Sequence, residues 1–317
     1  MEKYYLGVDV GGTSVKGGIV GEDGEIIYKT ACAVKNFDAL SCVENTVRDL
    51  KEYARHCNIR VCDMGIGVPC IFNQETGVVS YGNNLDFKGA NLKSYFKDKF
   101  GLNVGIANDA DAAALGEYRF GAGKGYKDIA LVTIGTGIGG GFILNGNLLT
   151  SKTSCFGEIG HTVIKIDGKK CACGRAGCME AYCSMPALYR QIKTAMLKNR
   201  NSLLWKSIDI DNIDGKAFFE CLGKDETADA VFRKYLKFLC TGLLNVANVF
   251  RPEIIIIGGG VSVQEDKLIK PLSEYINANL FARQYTVGIK VVKAEKGNDA
   301  GILGAAALLM SNDKAMQ

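Results

Sequence analysis

Long apolar runs, proline and a leader pattern are what this sequence lacks. Its purest apolar run, residues 254–257, has the length of a strand, well short of the roughly 20 residues that span a bilayer. The first residues do not form the charged and apolar segments of a secretory signal peptide. With 4 prolines in 317 residues, no proline-rich linker is present. These absences argue against a membrane or exported protein, and we expect a cytoplasmic one.

Concentrated charge is missing too. The 38 basic and 34 acidic residues are spread along the chain and leave a net charge of +4. Proteins that bind nucleic acid or anionic membranes carry a clustered basic surface, so we expect neither partner. The length suits two globular domains. The 12 cysteines are scattered apart from one cluster, and most should be buried free thiols in a reducing compartment.

A strand, a glycine turn and a second strand are predicted close to the start of the chain. The turn is Gly11-Gly12-Thr13, and apolar residues alternate on either side of it. Two glycines let the backbone take a positive φ and let a bulky group approach. A hydroxyl from Thr13, the Lys16 ammonium and the Asp9 carboxylate suit a phosphate chain with its Mg²⁺. From these residues alone, an ordinary hairpin is the alternative.

The same pattern returns in the second half. Residues 129–134 are predicted as a strand, residues 135–141 (Gly-Thr-Gly-Ile-Gly-Gly-Gly) as a turn, and residues 142–144 as the returning strand. We interpret this as a weak internal duplication. Two such hairpins that face each other could hold one polyphosphate between two lobes.

The glycine-rich residues 121–125 are the best candidate for a domain boundary. We place the first lobe at residues 1–121 plus about 300–317, because we expect the apolar last helix to pack back on it. The second lobe is then residues 122–299. Periodicity predicts further helices at residues 41–56 (with Ser41 as N-cap), 91–100, 111–120, 186–198, 215–222, 227–250, 266–279 and 300–310.

The cysteine cluster is the most specific local pattern. Cys171, Cys173 and Cys178 follow His161 closely, in a chain with 2 histidines. Three thiolates and one imidazole complete a tetrahedral Zn²⁺ shell with no open position, which is typical of a structural site. A group of reduced thiols is the alternative.

Several acidic residues are candidates for catalysis and binding. Asp109, at the tip of a predicted strand beside Asn108, could accept the proton of an attacking hydroxyl. It could equally be a helix cap, as could Asp111. Glu158 and Glu180 flank the cysteine cluster, and a metal-held loop would fix them for binding vicinal hydroxyls. The alternative for both glutamates is a solvated surface charge.

Taken together, these residues resemble the ROK family of sugar kinases over essentially the whole chain. The matching motifs, in the family's order and spacing, are Asp9-x-Gly-Gly-Thr-x-x-Lys16, Asn108-Asp109-Ala110-x-x-Ala113, residues 135–141, Glu158-x-x-His161, Cys171-x-Cys173-x-x-x-x-Cys178-x-Glu180 and Gly258-Gly259-Gly260-Val261. The resemblance implies an α/β, actin-like ATPase fold: two ribonuclease-H-like lobes around a cleft, with a structural zinc loop. It also implies ATP-dependent phosphorylation of the 6-hydroxyl of a hexose, with glucose as the first expectation, and a homodimer.

Residue roles follow from the resemblance. Asp109 would deprotonate the sugar hydroxyl for in-line attack on the γ-phosphate. The implied sugar contacts are Asn84, Asn108, Asp109, Glu158, His161 and Glu180. The implied contacts to ATP and Mg²⁺ are Asp9, Gly11, Gly12, Thr13, Lys16, Thr136, Gly137, Gly259 and Gly260. The implied Zn²⁺ ligands are His161, Cys171, Cys173 and Cys178.

Two segments depart from the family's usual pattern, and both border its sugar site. Cys70-Ile71 stands where Gly-Pro is frequent, and Asp86-Phe87-Lys88 where Pro-Gly-Trp is frequent. The sugar therefore stays open, with fructose, mannose, allose and N-acetylmannosamine as alternatives. Polyphosphate is an alternative donor.

Other classes of function are expected to fit less well. Sugar-responsive repressors of the same family carry a helix-turn-helix domain ahead of the first glycine hairpin. Here that hairpin begins at residue 6, so we expect no such domain, and a sugar-sensing regulator without one is the alternative. An actin-like or chaperone-like ATPase would be larger and would lack the zinc loop.

Overall fold

The computed structural model describes residues 2–36, 38–82 and 85–310, apart from the side chains of residues 263 and 265. The strands are β1 (Tyr4–Val10), β2 (Ser14–Gly21), β3 (Ile26–Ala33), β4 (Val61–Val68), β5 (Cys70–Phe72), β6 (Val79–Gly82), β7 (Val104–Asn108), β8 (Ile129–Ile134), β9 (Ile138–Leu144), β10 (Asn147–Leu148), β11 (Ile254–Gly258) and β12 (Lys290–Lys293). The α-helices are α1 (Ala39–His56), α2 (Leu92–Phe100), α3 (Asp109–Phe120), α4 (Glu180–Cys183), α5 (Met185–Lys198), α6 (Leu204–Ser207), α7 (Gly215–Glu220), α8 (Glu226–Phe250), α9 (Glu265–Asn279) and α10 (Ala300–Ala307). Among the described residues, no helix combines the length and apolar character that crossing a bilayer requires.

The first five-stranded sheet has the order β3-β2-β1-β4-β7. β1 pairs with β2, and β2 with β3, in antiparallel fashion, because short turns join them. β4 pairs in parallel with both β1 and β7, since the helices α1 and α2 provide the crossovers that parallel pairs need. A separate two-stranded sheet, β5-β6, follows β4.

The second five-stranded sheet repeats the order of the first. Its strands run β10-β9-β8-β11-β12, with β9 and β10 antiparallel and β11 and β12 parallel. Numbered within each sheet in chain order, both sheets read third, second, first, fourth, fifth. The predicted α/β class with a repeated glycine hairpin is therefore confirmed.

The chain divides into two compact units. The first comprises the described residues within Met1–Leu131, Gly141–Gly157 and Ala294–Gln317. The second comprises Val132–Gly140 and Glu158–Lys293. The lobe boundaries expected at residues 121 and 300 stay a prediction.

Glycines let α10 pack directly on the first sheet and on α3. A Cβ built at Gly65 of β4 would lie 1.7 Å from the carbonyl oxygen of Ala305. One built at Gly304 would lie 1.6 Å from the carbonyl oxygen of Ala112 in α3. All eight residues of α10 are buried. The last helix therefore belongs to the core of the first unit, as expected from its apolar sequence.

Several predicted details need correction. α1 is capped by Asp38, whose side chain accepts a hydrogen bond from the backbone N–H of Ser41, so Ser41 is not the N-cap. α3 begins at Asp109 and not at residue 111, because the Asn108 side chain caps it. β9 begins at Ile138, so the second turn is shorter than predicted and residues 139–141 lie in a strand.

Candidate active site and metal cluster

The first turn, residues 11–13, is an open loop held by backbone hydrogen bonds. The N–H of Gly11 donates to the carbonyl oxygen of Ser14 at 2.9 Å, and the N–H of Val34, after β3, donates to that of Thr13 at 2.9 Å. Gly11 and Gly12 are not among the residues with a positive φ, so that part of the expectation was wrong. A Cβ at Gly12 would meet nothing within 4 Å. Its exposed backbone is thus accessible to a large group.

Two carboxylates lie near each other beside Gly67 in the first unit. Gly67 pairs with Asp9 across β1 and β4. A Cβ built at Gly67 would lie 3.9 Å from Oδ1 of Asp9 and 3.7 Å from the Cα of Asp109. Burial raises the pKa of Asp9 to about 6, with a further rise from the Asp109 charge and an opposing effect of Lys16. The arrangement could bind a divalent cation, since a cation would relieve this repulsion.

Asp109 is the first residue of α3 and lies beside its cap. The Asn108 side-chain oxygen accepts from the N–H of Ala110 at 2.9 Å, and Oδ1 of Asp109 accepts from the same N–H at 2.9 Å. Burial raises the pKa of Asp109, although hydrogen bonds from backbone N–H groups lower it. The raised pKa makes this carboxylate a stronger proton acceptor than an ordinary Asp. The N-cap of α3 is Asn108, so the cap alternative for Asp109 and Asp111 was wrong, and the role of Asp109 as a base stays a prediction.

The two departures from the family pattern differ in their surroundings. Burial, and then the charge of Asp109, raise the pKa of the Cys70 thiol to about 12, so this thiol lies within electrostatic range of the candidate base. Asp86 instead accepts from the backbone N–H of Ala39 at 3.2 Å, at the start of α1. Asn84, a predicted sugar contact, lies outside the described residues.

The second turn and the first residue of β9, Ile138, belong to the second unit, and residues 135–138 together are called the second turn. Thr136 is exposed at its tip. The N–H of Gly135 donates to the carbonyl oxygen of Gly137 at 3.0 Å. A Cβ at Gly137 would lie 2.6 Å from Oε2 of Glu180, so a larger residue there would displace the carboxylate. The N–H of Ile138 donates to the same carboxylate oxygen at 3.1 Å.

The four predicted metal ligands are brought together. One ligand atom each from His161, Cys171, Cys173 and Cys178 lies within 4.8 Å of all the others. The Cys171 Sγ–His161 Nδ1 and Cys173 Sγ–Cys178 Sγ distances are both 3.7 Å. A tetrahedron with Zn–S bonds of about 2.3 Å has edges of about 3.8 Å, so the residues fit Zn²⁺. Glu158, also predicted for sugar binding, is exposed one residue before the 3₁₀ helix Ile159–His161.

The predicted adenosine motif follows β11. Gly259 has a φ of +86°, and a Cβ there would lie 2.1 Å from the carbonyl oxygen of Ile134. Glycine is therefore required by both conformation and space. Gly260 is exposed next to it. This motif borders the end of β8 within the second unit.

Two residues near the carboxylates were not singled out from the sequence. Gly67 separates Asp9 from Asp109, as described above. Gly301 in α10 lies against Asp9, because a Cβ there would be 2.6 Å from the Asp9 Cγ. The spacing of Gly301 and Gly304 in an apolar helix was the available signal for close packing of α10.

Comparison with known proteins identifies the family. A family model described as the ROK family matches residues 5–312. This chain belongs to the ROK family. A glucokinase from Halalkalibacterium halodurans is 33% identical over 325 residues, which cover 100% of this chain and 98% of the relative.

Solved ROK structures confirm the fold. A crystal structure of a ROK family glucokinase from Streptomyces griseus in complex with glucose and AMPPNP has a TM-score of 0.82 at 32% identity and covers 96% of this chain and 98% of that one. A ROK family transcriptional regulator, a homologue of the E. coli MLC protein, has a TM-score of 0.85 at 26% identity, with 96% of this chain and 77% of the regulator covered. The predicted actin-like ATPase fold is thus confirmed.

Proposed function

We propose that this ROK protein is an ATP-dependent sugar kinase that phosphorylates the 6-hydroxyl of a hexose, with glucose as the first candidate. The observation that carries the proposal is full-length similarity to glucokinases, one of which was solved with glucose and AMPPNP. The arrangement of Asp9 and Asp109 in the first unit supports it.

In this proposal, Asp109 is the general base. Its raised pKa suits it to accept the proton of the attacking hydroxyl as the γ-phosphoryl group is transferred. Asn108 uses its side-chain oxygen as a helix cap, so its NH₂ group is what remains to donate to the sugar. Glu158, His161, Glu180 and Asn84 complete the proposed sugar contacts.

The proposed nucleotide contacts are the two glycine turns, Lys16 and the motif after β11. Residues 11–13 with Lys16, and residues 136 and 137, would bind the phosphates through exposed backbone and side-chain donors. Gly259 and Gly260 would border the adenosine. Asp9 would hold Mg²⁺, which neutralises charge on the phosphates when bound.

Zn²⁺ is proposed as a structural metal. His161, Cys171, Cys173 and Cys178 would hold it with no position open for substrate. When bound, it stabilises the surrounding loop and keeps the imidazole of His161 in place. This chain's own side chains then carry out sugar binding.

A coupled assay with the purified full-length protein tests the proposal. We expect ADP release that depends on added sugar, measured with glucose, mannose, fructose, allose and N-acetylmannosamine, and with ATP or polyphosphate as donor. ATP turnover that is independent of sugar, or no turnover with any sugar, would contradict the kinase. The expected homodimer is checked by light scattering.

The similarity to a ROK transcriptional regulator favours a second candidate, a sugar-sensing regulator. It predicts sugar binding without phosphorylation. Calorimetry with each sugar in the absence of ATP, run beside the coupled assay, separates the two functions.

A further inference from the structure

We propose that Glu180 is a positioning residue that couples the metal-ligand loop, residues 161–178, to the second turn, residues 135–138. A metal held by this loop would thereby fix the backbone that is proposed to bind the phosphates of ATP. The catalytic consequence rests on the proposed function, whereas the structural coupling does not.

The first support is on the N–H side of Ile138. Oε2 of Glu180 accepts from this N–H at 3.1 Å. The same oxygen would lie 2.6 Å from a Cβ built at Gly137, so the carboxylate is packed on the turn itself. A charged acceptor makes a stronger hydrogen bond than a neutral one. The second turn therefore depends on where Glu180 is held.

The metal-ligand residues determine that position. Glu180 follows the ligand Cys178 by two residues, and its Oε1 lies 3.8 Å from Sγ of the ligand Cys171. One carboxylate oxygen thus faces the cluster while the other faces the turn. Any shift of these two cysteines would be transmitted to the N–H of Ile138.

The second support is on the carbonyl side of Ile138. Gly160, next to the ligand His161, packs so closely that a Cβ there would lie 2.3 Å from the carbonyl oxygen of Ile138. The N–H of Met185, just after α4, donates to the carbonyl oxygen of Gly135 at 2.9 Å. The chain therefore holds the turn from both ends of the metal-ligand loop. Glu180, after the loop, contacts the N–H of Ile138, and Gly160, before it, contacts the carbonyl oxygen of Ile138.

Two variants separate the acceptor role from the charge. Glu180→Gln keeps an oxygen that can accept from Ile138, whereas Glu180→Ala removes it. We expect Glu180→Ala to speed hydrogen exchange of the Ile138 amide and to raise the Kd for AMPPNP, each by about tenfold, the effect of one charge-assisted hydrogen bond. Glu180→Gln should stay within about threefold of wild type in both. Glu220→Ala, at an exposed position at the end of α7, is the control.

Metal removal provides the second test. Chelation of the metal from the full-length protein should speed exchange of the Ile138 amide as Glu180→Ala does, and should add little in that variant. Exchange of the Ile138 amide that stays unchanged both on chelation of the wild-type protein and in Glu180→Ala would overturn the coupling. If exchange responds but wild type neither binds AMPPNP nor turns over ATP, the coupling stands and the kinase proposal fails.

Independently, we infer that Cys32 and Cys42 form a dithiol that small disulfide compounds oxidise to an internal disulfide. Their Sγ atoms lie 2.9 Å apart, closer than the separation of about 3.5–4.0 Å at which non-bonded carbon atoms make contact. Cys32 is partly exposed at the end of β3, and Cys42 is buried in α1. Cys42 also donates to the carbonyl oxygen of Ala33 at 3.3 Å, which orients its sulfur.

The reaction is two thiol–disulfide exchanges. Cys32 attacks the small disulfide, forms a mixed disulfide and releases one thiol, which takes up the proton of Cys32. Cys42 then attacks the Cys32 sulfur and releases the second thiol, which takes up the proton of Cys42. Two protein thiols are oxidised, and one small disulfide is reduced to two thiols.

Mass spectrometry after treatment with oxidised glutathione tests the dithiol. Trypsin should release residues 30–35 joined to residues 36–48, each with a single cysteine, and dithiothreitol should separate them. Cys32→Ser should remove the linked pair. A stable glutathione adduct on Cys32 without the cross-link, or no reaction at Cys32 while the exposed Cys57 reacts, would overturn the inference.

Discussion

The two glycine turns occupy the same place in two sheets of the same strand order, yet they are supported differently. The first turn, residues 11–13, is held by the hairpin itself and by the N–H of Val34 beyond β3. The second turn, residues 135–138, is held by Glu180 and by residues beside the metal ligands. A repeated sheet order therefore does not imply a repeated means of holding the loops. Perturbing the metal cluster should affect one turn and spare the other.

The largest expected effect is on chemistry in the first unit. Asp109→Asn should lower kcat by about 10²–10⁴-fold, because an amide cannot accept the proton. AMPPNP affinity should stay near that of wild type, since both turns remain. Steady-state kinetics and calorimetry measure the two quantities.

Asp98→Asn is the matched control, an exposed Asp in α2 of the same unit, and should leave kcat unchanged. Turnover of Asp109→Asn at more than about a tenth of the wild-type rate would contradict the role of Asp109 as base, because general base catalysis usually contributes about 10²–10⁴-fold.

The next effect tests the dependence of the second turn on metal. Cys173→Ala should lose bound zinc, lower the free energy of unfolding by about 3 kcal/mol or more, and weaken sugar binding. Hydrogen exchange should rise in residues 135–138 and stay unchanged in residues 11–13. Elemental analysis, denaturant unfolding and exchange mass spectrometry measure these changes.

Cys57→Ala, an exposed cysteine at the end of α1, serves as the comparison and should keep the metal. A fully active, metal-free Cys173→Ala protein would refute the structural role of the cluster. Equal exchange changes in both turns would remove the contrast between them.

A smaller effect is expected from close packing in the first unit. Gly304→Ala should destabilise the protein by about 2–4 kcal/mol, because its Cβ would overlap the Ala112 carbonyl oxygen at 1.6 Å. Gly215→Ala in α7 meets only side-chain ends, at 3.2 Å, and should change stability much less. Urea unfolding gives both values, and equal stabilities would show that α10 can shift at little cost.

Local spacing was enough to predict what depends on neighbours in sequence. The four predicted metal ligands, between residues 161 and 178, come together because short turns join them, with Gly174 and Gly177 at positive φ. The contact of Glu180 with Ile138 joins residues 42 positions apart, and no periodicity encodes it.

Backbone conformation was also beyond the sequence. The glycines at residues 11 and 12 were consistent both with a positive φ and with open space around the backbone. The structure shows no positive φ at either residue, and it shows open space at Gly12. The start of β9 at Ile138 was missed because glycine is normally a strand breaker, whereas here a Cβ at Gly141 would lie 2.5 Å from the Ala110 carbonyl oxygen. Such close approaches depend on which elements pack together.

The smallest expected effect concerns the Asp9 carboxylate beside the first turn, whose pKa is raised to about 6 by burial. An unfolded Asp has a pKa of about 3.9, so the folded state binds more protons between about pH 4 and pH 6. Stability therefore falls as the pH rises through that window, and the loss is complete above it. Asp9→Asn carries no charge and should be more stable than wild type at pH 7.5, by no more than about 3 kcal/mol for a shift of about two pKa units, with the gain shrinking towards pH 4. Urea unfolding between pH 4 and pH 7.5 measures the difference in stability, with Asp98→Asn as the control. An equal gain at pH 4 and pH 7.5 would show that the charge of Asp9 is not its cause.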